Sequence, residues 1–298
     1  MENFAYDGTR LGYLRRGEGG PPVVMLHNAG SSHVIWTPQI TALARKYRVY
    51  ALDLPGYGSA DQPESGYTLD RYAELVRRFL RDRDLTGVAL VGNCLGSAIS
   101  LTLARRYPEL VRAVVAINPL TESTAMRGDL RVPARITRGL PDPAARALFD
   151  WHTPKWFARG TIRSWFASGR AYRECPYVQP LSAGFPARAL VGLVRDLSSF
   201  AALDEWPDRE QLPPVCTIWG TENRVLSAAA GRTLNTRLRP DRAEWLDRCG
   251  HVPMLERAPE VTAIITEFLA TTDATEGHRP GEIPAEEHAG MTSRRTPE

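Results

Sequence analysis

Short unbroken apolar runs alternate with longer stretches of helical periodicity up to about residue 119. The runs at 23–26, 47–54, 87–93 and 111–117 show little polar–apolar alternation, the pattern of strands buried on both faces of a parallel sheet. Between them, 38–46 and 69–84 read as helices. In the second, Leu69, Tyr72, Ala73, Val76, Phe79 and Leu80 fall on one face. A third helix is expected over 94–107, stopped by Pro108, and a short strand over 11–15, turned by the glycines at 17–20. Strand, helix, strand, helix, strand predicts a doubly wound, mostly parallel α/β sheet.

The alternation then stops. From 120 to 211 no strand-like run occurs, and helical stretches at 144–151, 155–167 and 188–203 are separated by proline and glycine. Trp151, Trp156, Trp165 and Trp206 lie here. An aromatic-rich helical insertion between core strands predicts a cap over a binding pocket, and Trp151 and Trp156 are its candidate substrate contacts. The sheet resumes at 215–219, and Ser227 is placed to cap a helix running to 237. A last strand is expected at 242–246, and Pro259 opens a helix with Val261, Ile264, Ile265, Phe268 and Leu269 on one stripe. Ile283 and Met291 are the only bulky apolar residues past Thr271. The expected organisation is a core of 1–119 plus 212–271, a cap of 120–211, and a disordered tail of 272–298.

Composition narrows the functions without choosing one. The chain is 43% hydrophobic and 24% charged with a net charge of +3, ordinary for a globular protein. Lys46 and Lys155 are the only lysines, and the arginines form no stripe interleaved with aromatics, which argues against nucleic acid as a partner. Cys94, Cys175, Cys216 and Cys249 form no Cys-x-x-Cys pair and show no zinc spacing with histidine, so no metal is expected and a reduced setting is. With a charged N-terminus and no membrane-length apolar run, a cytoplasmic location off the membrane is expected.

The chemistry centres on Gly92-Asn93-Cys94-Leu95-Gly96, where an apolar strand ends and a small-residue helix begins. Glycines two residues either side of Cys94 suit a sharp strand-to-helix turn in which a Cβ would collide with its neighbours. At a helix N-terminus the macrodipole and free backbone N–H groups favour the thiolate, which predicts a lowered pKa. Neither a dinucleotide-binding glycine fingerprint nor a Walker loop is present, so no cofactor is expected.

Together these features resemble the capped α/β-hydrolase superfamily over roughly residues 4–271. The resemblance rests on the apolar strand into His27, on Asp53-x-Pro55-Gly56-x-Gly58, on the Gly-x-Cys-x-Gly elbow, and on Gly250-His251 before the last helix. It implies Cys94 as nucleophile in place of the usual serine, His251 as general base, and the backbone N–H groups of Ala29 and Leu95 as oxyanion donors. Asn28 stands where glycine usually follows the histidine, as an added donor or a reshaping of the loop; His27 itself reads as structural. The third catalytic position falls at Asn223, with Glu222 and Glu122 as the alternative carboxylates. Cysteine at the elbow is similar to thioesterase-like members of natural-product pathways. The implied activity is acyl transfer or hydrolysis on an ester, lactone or acyl thioester, in bacterial secondary metabolism, with a small-molecule substrate that is free or carried on a protein. Two alternatives stay open: a lyase eliminating acetate or another carboxylate from an acylated polyketide, and a non-catalytic ligand-binding member.

Overall fold

The computed structural model describes residues 1–141, 143–145, 147, 155–178 and 187–276. Eight strands form one sheet: β1 (Glu2–Tyr6), β2 (Thr9–Arg16), β3 (Pro22–Leu26), β4 (Arg48–Asp53), β5 (Val88–Asn93), β6 (Val111–Ile117), β7 (Val215–Gly220) and β8 (Arg242–Leu246). Their order is β1-β2-β4-β3-β5-β6-β7-β8, with β1–β2 and β2–β4 antiparallel and every other pair parallel.

The apolar runs are explained by burial on both faces. Val24 and Leu26 of β3 pack into one core layer and Val23 and Met25 into the other. In β6 the same division puts Val114 and Ala116 on one side and Ala113, Val115 and Ile117 on the other. The sequence reading finds one strand at 11–15, but the structure has a hairpin of two. Its first strand, β1, buries only Phe4 among its hydrophobic residues, too little to leave a pattern.

Helices α1 (Thr37–Leu43), α2 (Leu69–Asp82) and α3 (Leu95–Arg106) cross between the strands. The chain leaves β3 for β4 on one side and returns past it to β5 on the other. The carboxyl ends of β3 and β5 therefore flank the crevice where open α/β sheets bind ligands. Between β6 and β7 lie α4 (Glu122–Met126), α5 (Arg131–Arg138), α6 (Lys155–Ser164), α7 (Gly169–Glu174) and α8 (Ala187–Arg195), with no strand among the described residues there. After β7 come α9 (Ala228–Leu238), α10 (Pro253–Glu256) and α11 (Ala258–Glu276).

Helix α11 does not stop at the expected boundary of 271. Asp273 accepts hydrogen bonds from Tyr47 Oη at 2.8 Å and from Arg112, whose guanidinium also donates to Thr272 Oγ1 at 3.0 Å. Those contacts hold two further polar residues on the core, so the helical unit runs to Glu276.

Candidate active site

Cys94 sits at the turn between β5 and α3 with φ 52° and ψ −108°, a backbone region that non-glycine residues enter only under strain. The flanking glycines make the turn possible. A Cβ on Gly92 would lie 2.3 Å from the Gly96 carbonyl carbon, and one on Gly96 would lie 2.0 Å from the Leu26 oxygen. No side-chain cap closes the N-terminus of helix α3 at Cys94. The backbone N–H groups of Leu95 and Ala29 both point at the Cys94 sulfur. They converge where a carbonyl oxygen would carry charge after attack at Sγ.

The electrostatics differ from the sequence expectation. Burial pushes the Cys94 thiol up to about 12, and the two amides only partly offset it. Burial also holds His251 down to about 3. The resting site is therefore a neutral thiol beside a neutral imidazole, not a thiolate–imidazolium pair. The helix-terminus argument fails here because desolvation of a fully enclosed sulfur outweighs the dipole.

His251 is fixed at three points. Its ring Nδ1–H donates to Asn223 Oδ1 at 3.2 Å, its backbone N–H donates to the Trp165 carbonyl at 2.6 Å, and its carbonyl accepts from Asn93 and Asn118 Nδ2 at 3.3 and 3.2 Å. The orientation of Asn223 is set independently, because its Oδ1 also accepts the Leu226 N–H at 3.2 Å. That oxygen needs a donor from the ring, so Nδ1 carries the proton and Nε2 keeps its lone pair. Asn223 Nδ2 is buried with no partner among the described residues.

The alternative carboxylates are not brought to the ring. Glu222 is exposed, its backbone N–H bonded to the Cys249 carbonyl. Glu122 opens α4 and pairs with Arg138 at 3.4 Å. Of the three candidates, Asn223 is the one whose side chain is bonded to the ring. The Asn28 side chain is bonded within its own loop. Its Nδ2 donates to the Ala29 carbonyl at 3.0 Å and its Oδ1 accepts from Ser31 Oγ at 2.8 Å, two bonds that brace the loop carrying Ala29. His27 donates through Nδ1 to the Asn28 carbonyl and accepts the Leu54 N–H at Nε2, bracing two loops. Trp151 lies outside the described residues, as does the side chain of Trp156.

Cys94 and His251 open into a cavity of about 420 Å³. Ala29 and Gly30 form one wall, and residues of the 120–211 insertion, Trp165 among them, form most of the rest. Trp165 was legible only as one tryptophan of that insertion. Its indole packs over Gly30, where a Cβ would come within 3.2 Å of it, and its ring centroid lies 6.4 Å from that of His251. Glu256 is a further residue with no sequence signal. Its carboxylate accepts the Gly250 N–H at 2.7 Å and the Ala167 N–H at 2.9 Å, tying the histidine loop to the insertion. Burial raises its pKa against the effect of those two amides.

Residues 21–258 match the α/β-hydrolase fold family, and the chain belongs to it. It is 28% identical over 260 residues to the 2-(acetamidomethylene)succinate hydrolase of Mesorhizobium japonicum, covering 86% of this chain and 90% of that protein. It is 33% identical over 270 residues to the dihydrolipoyllysine-residue acetyltransferase component of the acetoin cleaving system of Cupriavidus necator, covering 88% and 67%. Among solved structures, the enol-lactonase of Burkholderia xenovorans superposes with a TM-score of 0.72 at 21% identity, over 90% of this chain and 100% of that one. Hydrolase chemistry is thereby supported at the level of the family. No described helix is long and apolar enough to cross a membrane.

Proposed function

We propose that the protein is a cysteine-dependent acyl hydrolase or acyltransferase acting on an ester, lactone or acyl thioester. The observation that carries this reading is the convergence of the Ala29 and Leu95 amides on the sulfur of a strained, elbow-mounted Cys94 that shares a cavity with His251. Because thiol and imidazole both rest neutral, the proton moves as the bond forms. His251 Nε2 takes the thiol proton while Sγ attacks the carbonyl carbon, and the oxyanion develops between the two amides. Collapse breaks the bond to the leaving group, which takes the proton from the imidazolium and departs, leaving a thioester on Cys94. Water, or another acceptor with a hydroxyl, amine or thiol, then attacks that thioester and gives its proton to His251. The proton passes to the departing sulfur. Asn223 holds the Nδ1–H tautomer throughout. Esters, lactones and carrier-bound thioesters all present the required carbonyl, those of natural-product pathways included.

Intact mass after incubation with p-nitrophenyl butyrate tests the reading. One acyl group on the wild type, and none on Cys94→Ala, is expected, with Cys94→Ala losing turnover and Cys94→Ser retaining slow hydrolysis. Full turnover by Cys94→Ala would sink it. So would loss of deuterium from the carbon beside the carbonyl of a labelled substrate while the cysteine stays unmodified, which is elimination.

A further inference from the structure

The walls of the cavity, beyond the catalytic pair, limit what the acyl group can be. Leu130, Val132, Ile136, Ile162, Val191 and Val194 supply apolar surface from three helices of the 120–211 insertion, α5 with its N-cap, α6 and α8. Of the three hydroxyl residues in the described lining, Thr137, Thr161 and Ser164, two are already satisfied within their own helices. Thr137 Oγ1 donates to the Pro133 carbonyl at 2.8 Å, and Ser164 Oγ donates to the Thr161 carbonyl at 2.7 Å. Among the described lining residues there is no lysine or arginine, and the one acidic side chain is the exposed Asp129. Arg195, the residue after Val194, sends its guanidinium to the Thr137 and Leu140 carbonyls. A carboxylate held against the buried part of this wall would lose hydration and, among the described lining residues, would meet no lysine or arginine.

We infer that the acyl group accepted by this site is uncharged and aliphatic, and that acyl groups ending in a carboxylate are rejected. The Mesorhizobium relative is named for a substrate that bears carboxylates, and the described lining of this cavity offers no lysine or arginine to pair with one. The inference rests on the acyl-enzyme reading for its kinetic arm but concerns the pocket, so binding is measured separately.

The kinetic arm compares p-nitrophenyl acetate, butyrate and hexanoate with the half-ester of adipic acid, which matches hexanoate in chain length but ends in a carboxylate. Specificity, read as kcat/KM, should rise about fourfold per methylene, as expected for ~0.8 kcal/mol per buried CH2. The adipate half-ester should fall at least about 100-fold below hexanoate, as for an unpaired charge taken out of water. Ile136→Arg puts a cation at a position that is 47% exposed, where it does not disturb the core. It should recover the adipate half-ester by about tenfold or more, the effect of an opposite charge within reach of the carboxylate. The binding arm uses Cys94→Ala with hexanamide and with the monoamide of adipic acid, read by calorimetry. Binding of hexanamide alone supports the inference even if no ester ever acylates Cys94, in which case only the acyl-enzyme reading falls. Equal binding of the two amides, or equal kcat/KM for hexanoate and the adipate half-ester, overturns the inference.

Discussion

At Asn223 a single side-chain atom bears on how basic the His251 ring is. A carboxylate in that place would attract the imidazolium and raise the pKa of His251, whereas the amide oxygen only orients the ring. Burial therefore acts on His251 unopposed, down to about 3, and the ring stays a neutral base well below the ordinary histidine range. In the wild type, kcat/KM should show no acid limb between about pH 7 and pH 5, since the essential form is the unprotonated one. Asn223→Asp should bring that limb into the measurable range, because a raised pKa protonates the base as pH falls through it. The same variant should match or exceed the wild type near pH 8, where a stronger base is still neutral. It also removes the unpartnered Nδ2. Asn223→Ala should cost about 10- to 100-fold in kcat/KM, as expected for a lost orienting bond and not a lost nucleophile. Identical pH–rate profiles for wild type and Asn223→Asp would show that the ring does not feel this position during turnover.

Elements meet at the histidine loop, and Glu256 is the side chain that joins them. One oxygen accepts from Gly250, beside His251, and the other from Ala167, beyond the end of α6. A Cβ on Gly250 would strike the Trp165 carbonyl at 2.4 Å, so this close approach depends on glycine. Glu256→Gln replaces one acceptor by an N–H donor facing another N–H. It should cost about 1–3 kcal/mol of stability through the stranded amide. Hydrogen exchange at the Ala167 and His251 amides should quicken, and kcat should fall more than KM rises, since the ring is displaced and the cavity kept. Unchanged exchange at both amides would mean the carboxylate is not the tie. The elements themselves were legible to different degrees. The inner strands β3 to β7 stand out because both faces are buried, and the elbow stands out because its two glycines flank Cys94 within five residues of sequence. β1 has only Phe4 to mark it, although Asp7-Gly8, both at positive φ (48° and 70°), is a hairpin turn readable from two letters. Glu256, Asn93 and Asn118 carry no local pattern, because each acts on a backbone group distant in sequence. The thiol pKa was misjudged for a related reason. The dipole of α3 belongs to one element, but the burial that overrides it comes from side chains distant in sequence that pack around the elbow.

At the scale of the whole molecule, the last helix locks the two ends of the core together, and its boundary can be tested by truncation. Arg112 opens toward α11 from β6 with its side chain only 1% exposed, and its charge is met by Asp273. Tyr47, at the entry to β4, donates to the same carboxylate at 2.8 Å. Gln39 of α1 reaches α11 as well, donating to Thr262 Oγ1 at 3.1 Å. A chain ending at 271 keeps the apolar stripe of α11 but leaves the Arg112 guanidinium buried without its carboxylate. Removing one partner of a buried pair costs about 3–5 kcal/mol, and Asp273 is partly exposed, so a loss of about 2 kcal/mol is expected. For a domain of this size that lowers Tm by roughly 4–8 °C, at 2–4 °C per kcal/mol. A chain ending at 276 retains Thr272 and Asp273 and removes a segment whose only bulky apolar residues are Ile283 and Met291. It should melt with the full-length protein and turn over the same esters at the same rate. Arg112→Met in the shorter chain removes the stranded charge and should recover part of the lost Tm, which a general fraying of the helix would not allow. Equal melting of the chains ending at 271 and 276 would place the end of the folded unit before Thr272 and leave the Arg112–Asp273 pair without a role in stability.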